Sequence, residues 1–304
     1  VFFVGLRRLS ADPQFVIKFR HDGEWNPKAE FDGLEKVTNI LKLTDSTKSY
    51  CSVKPVYYSL DPPCLVTEFQ PGISLQPVFT RAIRRRHQAS IQLATGYSKR
   101  IAHWIRLVQS DKQAQDPDLI VGEWVETVKA SGEHLERRIP RLKGIASRVL
   151  KYGSQLSKLH LEKIGYAHAN RGDCRPANFL ACGQRIVAFD LEGFGYGSLG
   201  LDSVAMRNYF AFESAGNRRS REVAQSLWQA YVEDFMDDRL YSSVILLGYL
   251  KSLFLELSQM LHKPMGLNPR KILARWQWIE EQVSWLSGLS GSLDSDSAYL
   301  IQRL

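Results

Sequence analysis

The stretch Asn170-Arg171-Gly172-Asp173-Cys174-Arg175-Pro176-Ala177-Asn178, with Ile186-Val187-Ala188-Phe189-Asp190 shortly after it, decides how this chain reads. It sets an Asn five residues after one Asp, and a second Asp twelve residues after that Asn. Phe179-Leu180-Ala181 and the run from Ile186 to Phe189 read as a hairpin, which would carry the side chains of Asp173, Asn178 and Asp190 to one place. An amide oxygen and a carboxylate are hard donors that suit Mg²⁺ with bound phosphates. A carboxylate just upstream can take the proton of an attacking hydroxyl. The pattern points to a phosphoryl-transfer site.

With 304 residues, 44% of them hydrophobic and 24% charged, the chain can form one large domain or two modest ones around an ordinary globular core. Cys51, Cys64, Cys174 and Cys182 make neither a CxxC pair nor a zinc spacing, and read as free thiols of a reducing compartment, so a cytoplasmic location is expected. Cys174 stands beside Asp173 with no base placed next to it and reads as a packing residue. The longest apolar stretch, Val244 to Leu257, is interrupted by Lys251 and Glu256 and is too short to span a bilayer. The net charge of +8 is spread along the sequence, and its densest cluster is Arg81, Arg84, Arg85, Arg86 and His87. Such a cluster is most often a solvated face. No nucleic-acid partner is expected, and a peripheral membrane contact is the minority reading. The chain opens at Val1 inside a strand-like run and reads as a fragment.

Val1 to Leu6 and Phe15 to Phe19 read as an antiparallel hairpin across Ser10-Ala11-Asp12-Pro13. Lys18, inside the second strand, marks either an edge or an ammonium aimed at an anion, and the residues alone favour the edge. Asn26-Pro27 opens a helix with Ala29, Leu34, Val37, Ile40 and Leu41 on its apolar stripe. Glu30, early in that helix, suits the helix dipole and could equally pair with Lys18. Cys51 to Tyr58 and Leu65 to Phe69 read as two further strands, and Gln70-Pro71-Gly72 ends the sheet. The remainder is mostly helical, with polar breaks at Asp111 to Asp118 and at Pro140. His160 reads as a packed histidine on the helix leading to the opening stretch. Gly193, Gly195, Gly197 and Gly200 read as a flexible loop, and Asp202 as the N-cap of the next helix. Helices are expected over Val223 to Asp237, Leu240 to His262 and Pro269 to Leu286, followed by a mobile Ser/Gly/Asp-rich tail from Ser287 to Ser297.

Together these residues resemble the aminoglycoside phosphotransferase-type branch of the protein-kinase-like fold. Val16-Ile17-Lys18 resembles its strand lysine, and Glu30 that lysine's helix partner. Leu65 to Gly72 resembles its interlobe hinge, Leu156 to Asn178 its catalytic loop, and Ile186 to Glu192 its metal strand. The resemblance covers residues 1–75 and 150–210 well. It implies an α+β, bilobal protein-kinase-like fold, with a small antiparallel-sheet N-lobe over 1–75, truncated at its start, and a mainly helical C-lobe over 76–304. By the same resemblance, Asp173 would position and deprotonate the acceptor hydroxyl, and Asn178 and Asp190 would hold Mg²⁺. Lys18, oriented by Glu30, would contact the α/β-phosphates of ATP. Glu68, Phe69 and Gln70 would offer backbone groups to adenine. Arg175 is either a cation for the transferring phosphoryl group or a surface arginine. Asp202 would steady the catalytic loop. Arg171 stands where the family carries a His, and the first strand and phosphate-covering loop have no counterpart in the sequence.

The expected function is therefore ATP/Mg²⁺-dependent phosphoryl transfer to a hydroxyl of a small molecule of sugar, amino alcohol or glycan type. The alternative is a catalytically weak kinase-like binding or regulatory module, for which Arg171 speaks. A protein kinase is disfavoured, because no Asp-Phe-Gly or Ala-Pro-Glu segment occurs. Glu213, Glu222, Glu233, Asp234, Asp237 and Asp238 suit a cationic acceptor, whereas the positive net charge suits a phosphorylated sugar or a lipid-linked glycan. Both acceptor classes stand on sequence alone.

Overall fold

Apolar runs punctuated by proline set the first part of the chain. The computed structural model describes residues 2–5, 15–20, 25–114, 116–164, 166–170, 173–197, 200–235, 239–262, 276–280, 282–284 and 286–287. Strands β1 (Phe2–Gly5) and β2 (Phe15–Phe19) form the expected hairpin, with Phe3 opposite Lys18. Helix α1 (Pro27–Thr44) starts where the Asn26 side chain accepts the N–H groups of Lys28 and Ala29, with Pro27 in the first turn. Leu34, Val37, Ile40 and Leu41 form its buried face, and each such side chain contributes about 1.5–3 kcal/mol. Strands β3 (Tyr50–Ser52), β4 (Pro55–Leu60) and β5 (Pro63–Glu68) follow. The N-terminal sheet has the order β1-β2-β5-β4, so β2 is an interior strand and Lys18 does not lie on an edge.

Cys51 to Tyr58 does not form one strand. Pro55 has no N–H to give a ladder, and the run divides before it. Its first half, β3, leaves the N-terminal sheet and pairs elsewhere. After Glu68 the chain crosses residues 69–72 outside any strand, then forms β6 (Ile73–Ser74) and α2 (Leu75–Thr80). Helix α2 continues into a π-helical turn at Arg81–Arg85, which Arg86 ends in the left-handed region at φ 54°.

The rest is mainly helical: α3 (Gln88–Gln109), α4 (Pro117–Arg138), α5 (Ile145–Ile164), α6 (Leu201–Ser214), α7 (Arg218–Val232) and α8 (Arg239–His262). Helix α3 lies on α7, α4 on α5 and α8, and α6 on α7 and α8. Helix α7 starts earlier than its apolar pattern suggests, because Asn217 caps it by accepting the Ser220 N–H. Gly200 precedes α6, so Asp202 occupies the first turn rather than the cap and is fully buried. Within the expected final helix, residues 276–280, 282–284 and 286–287 are helical. Arg171, the side chain of His160 and the tail beyond Ser287 lie outside the described residues.

Small strands thread this helical part. Strand β7 (Lys112–Ala114) lies inside the expected polar break, and β11 (Gly195–Gly197) lies inside the expected glycine loop. Both pair with β8 (Tyr166–Asn170), in the order β11-β8-β7. Strands β9 (Phe179–Cys182) and β10 (Arg185–Ala188) form the expected hairpin, and β3 and β6 flank it in the order β3-β10-β9-β6. Trp104 of α3 seats this hairpin. Its ring meets Phe179 edge-on at 5.4 Å, and its Nε1 donates to the Cys51 carbonyl at 3.1 Å.

Helix α5 leads to β8 and the segment that carries Asp173, and it packs against α4 through a close contact at Gly153. A Cβ there would meet the Trp124 ring at 2.3 Å. That ring is buried and tied to the Leu247 carbonyl through Nε1 at 2.9 Å, so it cannot easily yield. Gly153→Ala is expected to lower stability by roughly 1–3 kcal/mol despite alanine's better helix propensity. Urea unfolding checks this, and an unchanged or raised midpoint would show that the Trp124 ring relocates freely.

Candidate active site

Lys18 is the centre of the site. Interior placement on β2 leaves its ammonium largely dehydrated, with the side chain 15% exposed. Nζ donates to Glu30 Oε2 at 2.7 Å and to Asp190 Oδ1 at 2.7 Å. The Trp25 ring lies 5.1 Å from the ammonium, and Trp25 Nε1 donates to the same Glu30 oxygen at 2.8 Å. Burial pulls the Lys18 pKa down, but the Glu30 charge and the hydrogen bonds to Asp190 and Glu30 outweigh it, and the net direction is up. Burial pushes the Glu30 carboxyl up. Lys18 opposes that shift, and the like charge of Asp190 adds to it. One ammonium thus serves two carboxylates, only one of which is well exposed: Asp190 at 38%, against 3% for Glu30.

Glu30 reaches this point because α1 lies hard against the segment after β10. A Cβ on Gly33 would meet the Leu191 carbonyl oxygen and the Phe194 Cβ, each at 3.0 Å. Further along α1, Lys36 contacts Asp111 at 3.2 Å, and the Tyr196 hydroxyl donates to the same carboxylate at 2.5 Å. These contacts tie the helix to β7 and β11.

The residues expected to form the catalytic loop hold one another. Asn178 closes a tight turn at Pro176–Asn178, and its Nδ2 donates to the Asp173 carbonyl at 3.0 Å and to Asp173 Oδ2 at 3.3 Å. The Arg175 guanidinium forks onto the Asp173 carboxylate, Nε to Oδ1 at 2.5 Å and Nη2 to Oδ2. Arg175 remains 53% exposed. The Phe189 N–H donates to the Asn178 carbonyl at 3.1 Å, which sets Asn178 beside the end of β10. There Asp190 adopts φ 61°, a conformation that Asp tolerates better than most residues. Upstream, a ring of buried polar bonds fixes β8. Gln109 Nε2 donates to Asn170 Oδ1 at 3.0 Å, Asn170 Nδ2 donates to the His168 carbonyl at 2.7 Å, and His168 Nδ1 donates to the Gln109 carbonyl at 2.9 Å. Burial lowers the His168 pKa, the hydrogen bond to the Gln109 carbonyl opposes that shift, and the nearby Lys112 charge adds to it. Cys174 is fully buried.

At the hinge, the Glu68 N–H donates to the Lys54 carbonyl at 2.9 Å, and its carboxylate meets Lys54 Nζ at 2.7 Å. Phe69 and Gln70 lie beyond β5, outside strand pairing. Of the three residues expected to face adenine, Glu68 therefore has its N–H already engaged.

Three residues of the site escaped sequence reasoning. Trp25 is one. Arg20 and Glu192 are the others, joined at 2.6 Å by Nη1 and Oε2. Each lies two positions beyond a residue that was identified, Lys18 or Asp190, and that shared spacing was the available signal. Carboxylate oxygens of Glu30, Asp190 and Glu192 lie within 4.8 Å of one another, a donor set that fits a hard divalent cation. Asn178 gives its Nδ2 to Asp173, which leaves Oδ1 as the atom a cation would take.

No protein-family model matches the chain, and no curated protein matches it by sequence. Solved structures match its architecture. A glucosamine kinase is 15% identical over 91% of this chain and 74% of its own, with a TM-score of 0.52. A choline/ethanolamine kinase family protein from Mesorhizobium loti is 12% identical over 100% and 93%, with a TM-score of 0.53. The fold is protein-kinase-like. An amicoumacin kinase in complex with AMP-PNP and Ca²⁺ is also similar, 14% identical over 93% and 88%, with a TM-score of 0.50. At such identities the likeness carries the α+β bilobal architecture that the sequence implied: a small antiparallel sheet first, then a mainly helical part.

Removing the central cation of this kinase-like chain strands a buried charge. Lys18→Met is expected to cost about 3–5 kcal/mol, and Lys18→Met/Glu30→Gln to recover most of it. The Glu30 pKa is raised by burial, and it loses the opposing charge in the single variant. The folded variant then favours the protonated carboxyl, so its stability falls as pH rises through that raised value. Its deficit against wild type should be large at about pH 8 and shrink toward about pH 5. Urea unfolding across that range measures it. A deficit independent of pH would show that Glu30 is not the group left uncompensated.

Proposed function

We propose that the chain is an ATP- and Mg²⁺-dependent phosphotransferase acting on a hydroxyl of a small molecule of sugar, amino alcohol or glycan type. The double contact of Lys18, from β2 to Glu30 and to Asp190 172 positions away, carries this reading. It joins the N-terminal sheet, α1 and the catalytic hairpin in the arrangement phosphoryl transfer requires. Structures of the same fold that are named glucosamine, choline/ethanolamine and amicoumacin kinases support a small-molecule acceptor. The AMP-PNP and Ca²⁺ of the last support a nucleotide with a divalent cation. We assign residues 1–75 to a nucleotide-binding lobe and 76–304 to the lobe bearing the catalytic and metal loops. We place the protein in the cytoplasm, where ATP is available and the four free thiols suit a reducing medium.

Asp190 and Asn178, with Glu192 beside them, are the residues that would hold Mg²⁺. Bound there, the cation would supply positive charge against the phosphates. The chain's own residues do the remainder. At rest these carboxylates lean on cations: Asp190 on Lys18, Glu192 on Arg20, Asp173 on Arg175. A triphosphate offers these cations new partners. Lys18 keeps Glu30 and turns its other hydrogens to phosphate oxygens, which releases Asp190. Arg175 leaves Asp173 for the γ-phosphoryl oxygens, where its fixed fork neutralises charge developing in transfer. The freed Asp173 takes the acceptor's hydroxyl proton as the new oxygen–phosphorus bond forms. The bond from the γ-phosphorus to its bridging oxygen breaks, and ADP departs. Backbone groups of Phe69 and Gln70, with the Glu68 carbonyl, hold adenine.

Calorimetric titration with ATP tests the reading. Mg²⁺-dependent binding is expected in the wild type and should be lost in Asp190→Ala, whereas absence of nucleotide affinity in the wild type would sink the proposal. Asp173→Ala should retain nucleotide binding and lower acceptor-dependent ADP release about 10²–10⁴-fold. Arg175→Ala should lower it about 10²–10³-fold. Turnover unchanged in Asp173→Ala would remove that residue as the base. Tight nucleotide binding without turnover on any sugar or amino-alcohol acceptor would favour a binding or regulatory module.

A further inference from the structure

The excess positive charge looks dispersed along the sequence but is gathered by the fold. The π-helical turn at Arg81–Arg85 packs against α6 and α7, and Arg84 Nε meets Glu213 Oε2 at 2.7 Å, near the end of α6. Three residues separate α6 from α7, whose first turn opens with Arg218, Arg219 and Arg221. Arg81, Arg84, Arg85, Arg86, Arg218, Arg219 and Arg221 thus share one end of the helical lobe, and all are exposed. Against these seven arginines the two stretches and the α6 end set only Glu213 and Glu222, paired with Arg84 and Arg218. Arg81, Arg85, Arg86 and Arg219 have no ion pair among the described residues. His87 caps α3 by accepting the Ser90 N–H.

Large apolar side chains edge the same end. Phe212, in the last turn of α6, is 39% exposed. Gln277 lies against Gly216 in the α6–α7 connection, which brings its neighbour Trp276, 42% exposed, to that edge. We propose that this arginine-rich, aromatic-edged face docks the protein on an anionic lipid bilayer. Guanidinium groups match lipid phosphates in bidentate fashion, and Trp and Phe partition into the interfacial layer beneath them. Arginines clustered at two helix ends, with aromatics at the rim, fit a flat anionic sheet better than a nucleic acid, which calls for a groove that tracks its backbone. Such contact is peripheral, and among the described residues no helix is long and apolar enough to cross a membrane. Helix α2 packs against the Pro176–Asn178 turn and runs directly into the arginine turn. A docked bilayer would therefore lie within one short helix of the Pro176–Asn178 turn.

Co-sedimentation with vesicles tests this independently of catalysis. The wild type should bind phosphatidylcholine vesicles containing about one-third phosphatidylserine, weaken as salt rises, and ignore pure phosphatidylcholine. Each arginine near such a surface is worth about a fivefold change in partitioning, so Arg85→Gln/Arg86→Gln/Arg219→Gln should lower it about 100-fold while the thermal midpoint and nucleotide affinity stay at wild-type values. Trp276→Ala should lower it several-fold even at high salt. Salt-independent binding by the wild type, equal binding to neutral vesicles, or full binding by the triple variant would overturn the proposal. Failure to bind charged vesicles, with retention of a single-stranded or duplex oligonucleotide instead, would also overturn it and assign the face to nucleic acid.

Discussion

An ammonium shared by two carboxylates is the constraint on which the rest depends. Lys18 can sit on an interior strand only because Glu30 and Asp190 meet it there, and Glu30 can be buried only because Lys18 and Trp25 satisfy it. For Glu30 to arrive, α1 must lie within contact of residues 191–194, which the missing side chain of Gly33 permits. For Asp190 to arrive, the chain must turn sharply at the end of β10, through a left-handed residue. Three separate pieces of the chain are therefore placed by one hydrogen-bonded cation.

Charge is handled in two different ways in this molecule. Inside the cleft Glu30, Asp190, Glu192 and Asp173 each meet a cation, and the local sum is slightly acidic, because Lys18 alone answers both Glu30 and Asp190. A site so balanced folds without a ligand and keeps a small excess of negative charge. On the outer end of the helical lobe, the π-helical turn and the start of α7 hold like charges side by side in solvent, at a Coulomb cost that water and salt keep small.

The contrast explains what the sequence could reveal. Asp173, Asn178 and Asp190 are legible because two tight turns and a hairpin set their spacing, and such local geometry has a fixed length in residues. Lys18 and Glu30 were legible as candidates through family resemblance, although the residues alone favoured an edge lysine. The interior position of β2 comes from pairing with β5, some fifty positions away. Strand β7 carries no strand signal of its own, since Lys112, Gln113 and Ala114 are all exposed and are ordered only by β8. The glycines at 195 and 197 suggest a loop until the same strand recruits them. Arg20 with Glu192, and the π-helical turn with the start of α7, are relations between distant segments, and only the spacing of Arg20 from Lys18 and of Glu192 from Asp190 hints at the first.

The four-stranded sheet β3-β10-β9-β6 has a mechanical consequence. Its middle pair carries Asn178 and Asp190 at its ends, and its outer strands are the two places where the chain leaves the N-terminal sheet region, after α1 and after the hinge. Both exits are stitched to the hairpin by backbone hydrogen bonds, so the hairpin works as a fulcrum. A rocking motion of the N-terminal sheet would carry Asp190 along with Lys18 and leave their separation almost constant. Asn178 is bonded in turn to Asp173, and Trp104 of α3 seats the same hairpin, so a displacement of the N-terminal sheet would pull on the helical part rather than slide past it.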